Sequence, residues 1–296
     1  MLLKMFAIKK ALYIVPTPIG NMDDITVRAC EVLKLVDYIC AEDTRHSLPL
    51  LEGIGVSSPK LISYHDHNET EKAEKIISII KDGYSVALIS DAGTPMVSDP
   101  GYHLVSACVK DNIPVFPLPG ACAAITALCA SGMPSDRFSF EGFLPVKEKM
   151  LRDRLTSLVK EPRTMIFYEA PRRVLDTAKI LAEVFGDREV MIARELTKTF
   201  ETKYYTTCSK LYDVLNSDPN VQKGEMVIIL APYREKEIND VPDEAVKMMN
   251  LLKGELSPKK VCEIVAKIYG LRKNQLYKYF LEQIHEGASE EYVDDE

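Results

Sequence analysis

Between residues 12 and 130, short apolar runs alternate with stretches whose apolar positions recur at helical spacing. Leu12–Val15, Tyr38–Ala41, Leu61–Tyr64, Val86–Ile89 and Pro114–Leu118 are brief, rich in β-branched or aromatic residues, and predict strands. Between them, Ile25, Ala29, Val32, Leu33 and Val36 fall at i, i+4, i+7, i+8 and i+11, and Asp23 or Asp24 is placed to cap that helix. A helix over 71–82 gathers Ala73, Ile76, Ile77 and Ile80 on one side and stops at Gly83. Tyr102 to Lys110 and the small-residue stretch Ala121 to Ala130 predict two more helices. Strands alternating with helices imply a mostly parallel sheet covered on both faces.

Gly132 to Asp136 reads as a linker, and a second alternation follows. Phe138–Phe140, Thr164–Tyr168, Glu189–Ala193, Lys203–Thr206 and Met226–Leu230 predict strands. A helix opening at Pro171 places Val174, Leu175, Ala178, Leu181 and Phe185 inside. After a charged linker, Ser257-Pro258 caps a helix with Val261, Ile264, Val265 and Ile268 inside. Gly270 turns the chain, and Lys273 to Ile284 forms a second helix around Leu276, Phe280 and Ile284. The expected fold class is α/β: two α/β domains, over 1–120 and 121–233, plus a small helical module over 240–288 and an acidic tail over 289–296. Helix, glycine turn and helix at this spacing resemble a helix-turn-helix. Lys259, Lys260, Lys267, Arg272, Lys273 and Lys278 fit either a nucleic-acid surface or a hairpin packed on the body.

Composition narrows the class. An apolar fraction of 46% over 296 residues suits a globular chain of one or two domains. No apolar run is long enough for a membrane helix, and Met1 to Lys10 carries no cleavage pattern, so a cytoplasmic protein that does not engage membranes is expected. The 7 cysteines include no CxxC pair, which fits core thiols in a reducing compartment. The net charge of −7 argues against a wholesale nucleic-acid coat. Glu286, Glu290, Glu291, Asp294, Asp295 and Glu296 account for most of it, so the rest of the chain is near neutral and leaves room for local basic patches.

The candidate chemistry lies where strands hand over to helices. Ser90 to Gly101 follows one strand and precedes one helix, yet it is too long and too rich in Gly, Pro and Asp for a plain turn. In open α/β sheets that carboxyl edge is where ligands bind. Pro16-Thr17-Pro18-Ile19-Gly20-Asn21 and Pro119-Gly120-Ala121-Cys122-Ala123 should emerge at the same edge. None of these loops is the GxGxxG dinucleotide fingerprint, which disfavours a nicotinamide enzyme.

PTPIGN, AEDTR, SYHDHNE, SDAGTPMVSDPG, PLPGACA, FYEAPRR and ARELTKTFE occur in that order over residues 12–201. Together with the SPKK…GLRKNQLY module, they resemble the tetrapyrrole methylase superfamily, and within it the branch of 16S rRNA (cytidine-2′-O)-methyltransferases. The resemblance implies S-adenosyl-L-methionine as methyl donor, held in a cleft between two α/β domains. It also implies a homodimer, the 16S rRNA of the small ribosomal subunit as partner, and a decoding-region cytidine as target. By position, Pro18, Gly20, Gly93, Thr94, Pro95, Met96 and Val97 would border the donor. Ala121, Cys122 and Ala123 would pack on its adenosyl group, Tyr168 would cover the other side, and Glu225 would lie near the adenine. Related small-molecule methylases carry an acid where this chain has Thr94, so their substrate chemistry does not transfer.

A ribose hydroxyl is a poor nucleophile while protonated, so a general base would help. Asp43, Glu169 and Glu195 are the candidates, with a helix cap as the alternative for Asp43. Lys198 would polarise the hydroxyl or form an ion pair with Glu195. Arg45, Arg172 and Arg194 are placed to hold phosphates. Lys147, Lys149, Arg152 and Arg154 form either a solvated helix face or an RNA-contacting one. His65-Asp66-His67 has ligand types but no third ligand at a suitable spacing, and no metal is expected. Two other functions remain open: methylation of a tetrapyrrole precursor, and non-catalytic RNA binding in ribosome assembly.

Overall fold

The computed structural model describes residues 8–66, 68–234, 241–277 and 279–281. Described residues up to Tyr233 form one compact unit, and those from Arg234 onward form a second.

The first sheet is built from β1 (Leu12–Ile14), β2 (Tyr38–Ala41), β3 (Leu61–Ser63), β4 (Val86–Leu88) and β5 (Val115–Pro117). Its order is β3-β2-β4-β1-β5, and every pairing is parallel. The helices are α1 (Val27–Leu35), α2 (Thr44–Gly53), α3 (Glu69–Lys81), α4 (Tyr102–Lys110) and α5 (Ala123–Ala130). Successive side chains of a strand point to opposite faces, and the two cores show it. Tyr13, Val15, Ile39, Ala41 and Ala87 pack with α1 and Leu51 of α2. Leu12, Ile14, Cys40, Val86 and Leu88 pack with α3 and α4. Both faces are covered, so the strands read as continuous apolar runs rather than alternating ones.

The second sheet contains β6 (Phe138–Phe143), β7 (Thr164–Glu169), β8 (Glu189–Arg194), β9 (Thr202–Thr207) and β10 (Met226–Leu230), in the order β6-β7-β10-β8-β9. Only β6 and β7 run parallel; the other pairings are antiparallel. One face carries α6 (Glu148–Ser157), α7 (Val174–Phe185) and α8 (Cys208–Asn216) over Met165, Phe167, Ile192 and Ile228. On the other face, α5 packs against Ile166, Met191, Ala193 and Val227, together with Ile19 and Leu196.

The C-terminal unit holds α9 (Asp243–Leu252), α10 (Pro258–Tyr269) and a helix over residues 273–277 and 279–281. Its own core joins Ala245, Met249, Val261, Cys262, Val265, Leu276 and Phe280. Gly270 ends α10 at φ 66°, a left-handed turn that a side chain disfavours. Lys260 and Lys267 pair with Glu263, which neutralises part of the basic face. Lys278, Ile284 and the acidic tail lie outside the described residues.

Several local expectations change. Thr26, not Asp23 or Asp24, caps α1, its Oγ1 accepting from the Ala29 N–H at 3.1 Å. The two aspartates sit in a short 3-10 turn capped by Asn21. The small-residue helix starts at Ala123 because Cys122 is extended (φ −148°). Helices α8 and α9 have no counterpart in the sequence reading, and α2, which carries Pro49 inside it, is foreseen only through the alternative of Asp43 as a helix cap, which is what the structure shows.

Candidate functional site

The carboxyl ends of β4, β1 and β5 lie side by side because those strands are neighbours in the first sheet. The loops that leave them are therefore forced together. Thr17 and Gly93 exchange two backbone hydrogen bonds, at 2.8 and 3.0 Å. The Thr17 hydroxyl also donates to the Ser90 carbonyl at 3.1 Å. Thr94 donates through Oγ1 to the Ala121 carbonyl at 2.8 Å, which ties the second loop to the third. Pro16 lies so close to Gly120 that a Cβ there would be 2.5 Å from it. Met96 (φ 73°) and Ser98 (φ 65°) adopt left-handed backbone that non-glycine residues avoid. Such strain persists only where the surroundings impose it, and it gathers at functional sites.

Facing these loops is the α5 side of the second sheet, and between them lies a cavity of about 460 Å³. Gly93, Thr94 and Val97 line one wall. Cys122 and Ala123 line another, and Tyr168, Glu169 and Glu225 close it from the second sheet. The Tyr168 hydroxyl accepts from the Ala124 N–H at 3.2 Å, and its ring makes edge contacts with Phe140 and Phe143. Among the residues singled out by sequence, those eight line the cavity. Pro18, Gly20, Pro95, Met96 and Ala121 belong to the same loops but do not line it.

Asp43, Arg45, Glu195 and Lys198 are outside the lining as well. The Asp43 carboxylate caps α2, accepting from the Arg45 N–H at 2.9 Å and from the Arg45 guanidinium at 3.0 Å. Those bonds hold its pKa down at about 2. Glu195 (φ 52°) accepts from Lys198 Nζ at 2.8 Å and from the Glu225 N–H at 3.0 Å. Lys198 reaches Glu225 too, at 3.3 Å, and its stem passes directly over Gly20. Glu195 and Lys198 thus form a latch with the lining residue Glu225 at the edge of the cavity.

Arg194 is corrected. It is 6% exposed, donates to Thr202 Oγ1 at 3.2 Å and faces Asp218 at 3.8 Å, so it is an internal tie and not a phosphate contact. Arg172 and Arg45 are exposed. On α6, Arg152 pairs with Glu183 and Arg154 with Glu141, which is the solvated-face reading. His67 lies outside the described residues, and His65 and Asp66 do not line the cavity.

Sequence reasoning missed Glu42, Asp91 and Asp99, which line the cavity with Ser98 and Phe143. A usable signal existed, since Glu42 follows directly on β2 and Asp91 comes three residues after the end of β4, both at the carboxyl edge of the parallel sheet. The five lining carboxylates are Glu42, Asp91, Asp99, Glu169 and Glu225, and no Lys, Arg or His is among the described lining residues. Burial pushes Asp99 up to about 7, helped by the charges of Glu42, Asp91 and Asp66. Burial also raises Glu42 and Glu169. Glu169 is fully engaged, accepting from the Thr177 hydroxyl at 2.6 Å and the Ala170 N–H at 2.7 Å, with Arg173 at 3.4 Å. An anionic, partly apolar cleft of this size suits a drug-sized ligand that carries positive charge.

Comparison with known proteins agrees with this geometry. Residues 11–212 match the family model of tetrapyrrole (corrin/porphyrin) methylases, and residues 239–284 match that of the RsmI C-terminal HTH domain. The chain is 52% identical over 273 residues to ribosomal RNA small subunit methyltransferase I of Escherichia coli O157:H7, covering 92% of this chain and 95% of that protein. It is 50% identical to the protein of the same name from Vibrio cholerae serotype O1, covering 93% and 96%. Among solved structures, the methyltransferase CobJ superposes with TM-score 0.57 at 18% identity, covering 76% of this chain and 96% of that one. Uroporphyrin-III C-methyl transferase from Thermus thermophilus, complexed with S-adenyl homocysteine, gives TM-score 0.50 at 18% identity, covering 74% and 96%. At such identities the structures show a shared fold. The sequence relatives show more: this chain belongs to the ribosomal RNA small subunit methyltransferase I family, within the tetrapyrrole methylases.

Proposed function

We propose that this protein transfers a methyl group from S-adenosyl-L-methionine to the 2′-hydroxyl of a cytidine ribose in the decoding region of 16S rRNA of the small ribosomal subunit. The observation that carries the reading is the carboxylate-lined cavity between the two sheets, in a chain of this family. The donor is a cation through its sulfonium and its ammonium, and among the described residues the lining is acidic with no basic side chain, so the residues fit it. It supplies an activated methyl group, and no metal is needed for that.

Gly93, Thr94 and Val97 would hold the donor from the first sheet, with Pro18, Gly20, Pro95 and Met96 shaping their loops. Cys122 and Ala123, with Ala121 beside them, leave room for a flat adenosyl group, and Tyr168 and Glu225 close that side. This arrangement positions the ribose oxygen for in-line attack, and positioning supplies much of the barrier reduction in such steps. Dipoles fixed in a site shielded from water stabilise the charge that shifts during transfer.

The family resemblance further supports a homodimer and a cytoplasmic protein. In this reading the halves over 1–120 and 121–233 share the donor site, and the module over 240–288 contacts RNA. No helix of the described residues is long and apolar enough to cross a membrane.

The test supplies methyl-labelled S-adenosyl-L-methionine with undermethylated small subunits, naked 16S rRNA or a tetrapyrrole precursor. Label on a ribose of the RNA, located by nuclease digestion and mass spectrometry, is expected. Label on the tetrapyrrole alone defeats the reading, and RNA binding with no label would leave an assembly factor.

A further inference from the structure

Phe143 lines the cavity and is nevertheless 60% exposed. Among the described residues, neither its ring nor that of Phe140 belongs to a hydrophobic core cluster. A phenylalanine left largely in water forgoes the stabilisation that burial gives such a side chain. Its position is specified all the same. Phe140 and Phe143 are three residues apart, an odd spacing that sends strand side chains to opposite faces. In β6 the register against β7 shifts between Phe140 and Gly142, which pair with the adjacent residues Ile166 and Phe167. The one extra residue returns Phe143 to the face of Phe140. Both rings then meet Tyr168 edge-on, Phe140 with centroids 5.0 Å apart and Phe143 with centroids 5.4 Å apart.

The chain is held on both sides of that ring. Gly142, at φ 70°, lies against the loop of the first sheet, where a Cβ on it would be 3.6 Å from Ser98 Oγ. After Phe143, the Arg173 guanidinium donates to the Leu144 carbonyl at 3.1 Å and to the Pro145 carbonyl at 2.7 Å, and Leu144 is buried. The ring also marks the open side of the cavity. Strands β6 and β10 flank β7 on opposite sides, so Phe143 and Glu225 border the cavity on opposite sides of Tyr168. On the Glu225 side, Lys198 bonds to Glu225 and Glu195 and rests its stem on Gly20. On the Phe143 side, the other exposed lining residues are Ala92 and Ser98, whose small side chains leave the mouth wide.

We propose that Phe143 is the platform on which the base of the acceptor nucleotide stacks, an inference that rests on the ribose-methylating function proposed above. RNA bases parted from their neighbours stack on aromatic side chains. Such a contact tolerates any base, because each has a π-face, so Phe143 holds the base without choosing it. With the base on Phe143 at the mouth, the attached ribose reaches inward past Tyr168 to the donor. Tyr168 is the other aromatic of the lining, but it is less free for this task. Its hydroxyl is engaged by the Ala124 N–H, and its ring is flanked by Phe140 and Phe143.

The experiment uses the full chain, undermethylated small subunits and labelled donor in single turnover below saturation. Phe143→Leu should lower the rate about tenfold or more, because it keeps an apolar side chain and removes the π-face. Phe143→Tyr and Phe143→Trp should return the rate to within about threefold of wild type. Affinity of F143L for S-adenosylhomocysteine should stay within about threefold, and its urea midpoint should not move. The chain contains no tryptophan, so F143W carries a lone indole. Made with 5-hydroxytryptophan and excited where ordinary tryptophan does not absorb, it should lose emission when small subunits bind, as a base covers the ring. Leucine that serves as well as phenylalanine overturns the platform and leaves the function intact. So does an indole emission that bound subunits do not change. A matching loss of S-adenosylhomocysteine affinity in F143L overturns it in favour of a donor contact, and a changed sedimentation coefficient of F143L in favour of a contact between two copies of the chain. Wild-type protein that labels no RNA overturns the platform and the function together.

Discussion

A Cβ on Gly20 would sit 2.3 Å from Cγ of Lys198, and the glycine's φ is 148°. Two requirements therefore meet at one residue: a backbone that side chains avoid and a surface on which the lysine stem rests. Gly20→Ala should cost about 1–3 kcal/mol of unfolding free energy in urea, with part recovered when Lys198→Ala is added. An additive pair would show that the contact does not matter. Asp99 gives a second expectation at this scale. Its carboxyl is raised in the folded state to about 7 from an ordinary value near 4. Between those values the folded protein binds more protons than the unfolded one, so rising pH removes stability. The wild-type unfolding free energy minus that of D99N should therefore fall from about pH 4 to about pH 7 and stay level above. A difference that is flat across that window would mean the carboxyl titrates normally. Neither relation was legible in the chain. Gly20 was recognisable as a loop glycine but not its contact, and Asp99 looked like any turn aspartate until burial set it apart.

Elements in this protein start and stop on particular donors and acceptors. The α5 helix has no side-chain cap of its own, and the Tyr168 hydroxyl from β7 takes the Ala124 N–H in its place. Tyr168→Phe should lower stability by about 1 kcal/mol, read as a shift in the urea midpoint with unchanged slope. No shift would mean that solvent serves the helix end equally well. Gly270 ends α10 with nothing within 4 Å of a would-be Cβ, so its role is purely conformational. Gly270→Ala should cost the C-terminal unit about 1–2 kcal/mol, with Asn milder than Ala. This end was readable, because a glycine after a helical pattern is a local signal. The start of α1 was read wrongly because three residues of capping type, Asp23, Asp24 and Thr26, stand within four positions, and only the backbone dihedrals choose Thr26 over the aspartates. Helix α2 was signalled only by Asp43 as a possible cap: its inner proline hides its extent, and the Asp43 cap and Leu51 in the core hold it.

Across the whole molecule, the two compact units have separate cores that share no residue. Every described residue that lines the cavity belongs to the first unit. A chain ending at Tyr233 should therefore stay folded and bind S-adenosylhomocysteine within about threefold of the full chain, since its contacts are unchanged. Its affinity for small subunits should drop about tenfold or more, with a shallower salt dependence, as basic contacts of the helical module are lost. Equal affinity for subunits in the short and full chains would remove the module from RNA recognition. Calorimetry and filter binding at two salt concentrations make the comparison.

The sequence by itself determined the strand–helix alternation of the first sheet, the covered faces of its strands and the three loops at its carboxyl edge. Those features are local: periodicity, turn residues and strand length are written in neighbouring positions. Its ordered motifs also carried the family. Tertiary structure alone decided the direction of the strands in the second sheet, because apolar runs pair equally well either way and only the connections choose. It also decided which acids face the cavity and which are spent on caps and latches. Asp43, Glu195 and Asp99 are alike as isolated carboxylates. Their differences come from partners distant along the chain or set by backbone geometry: a guanidinium and a helix end for the first, a lysine over a glycine for the second, and a ring of like charges in a sheltered cavity for the third.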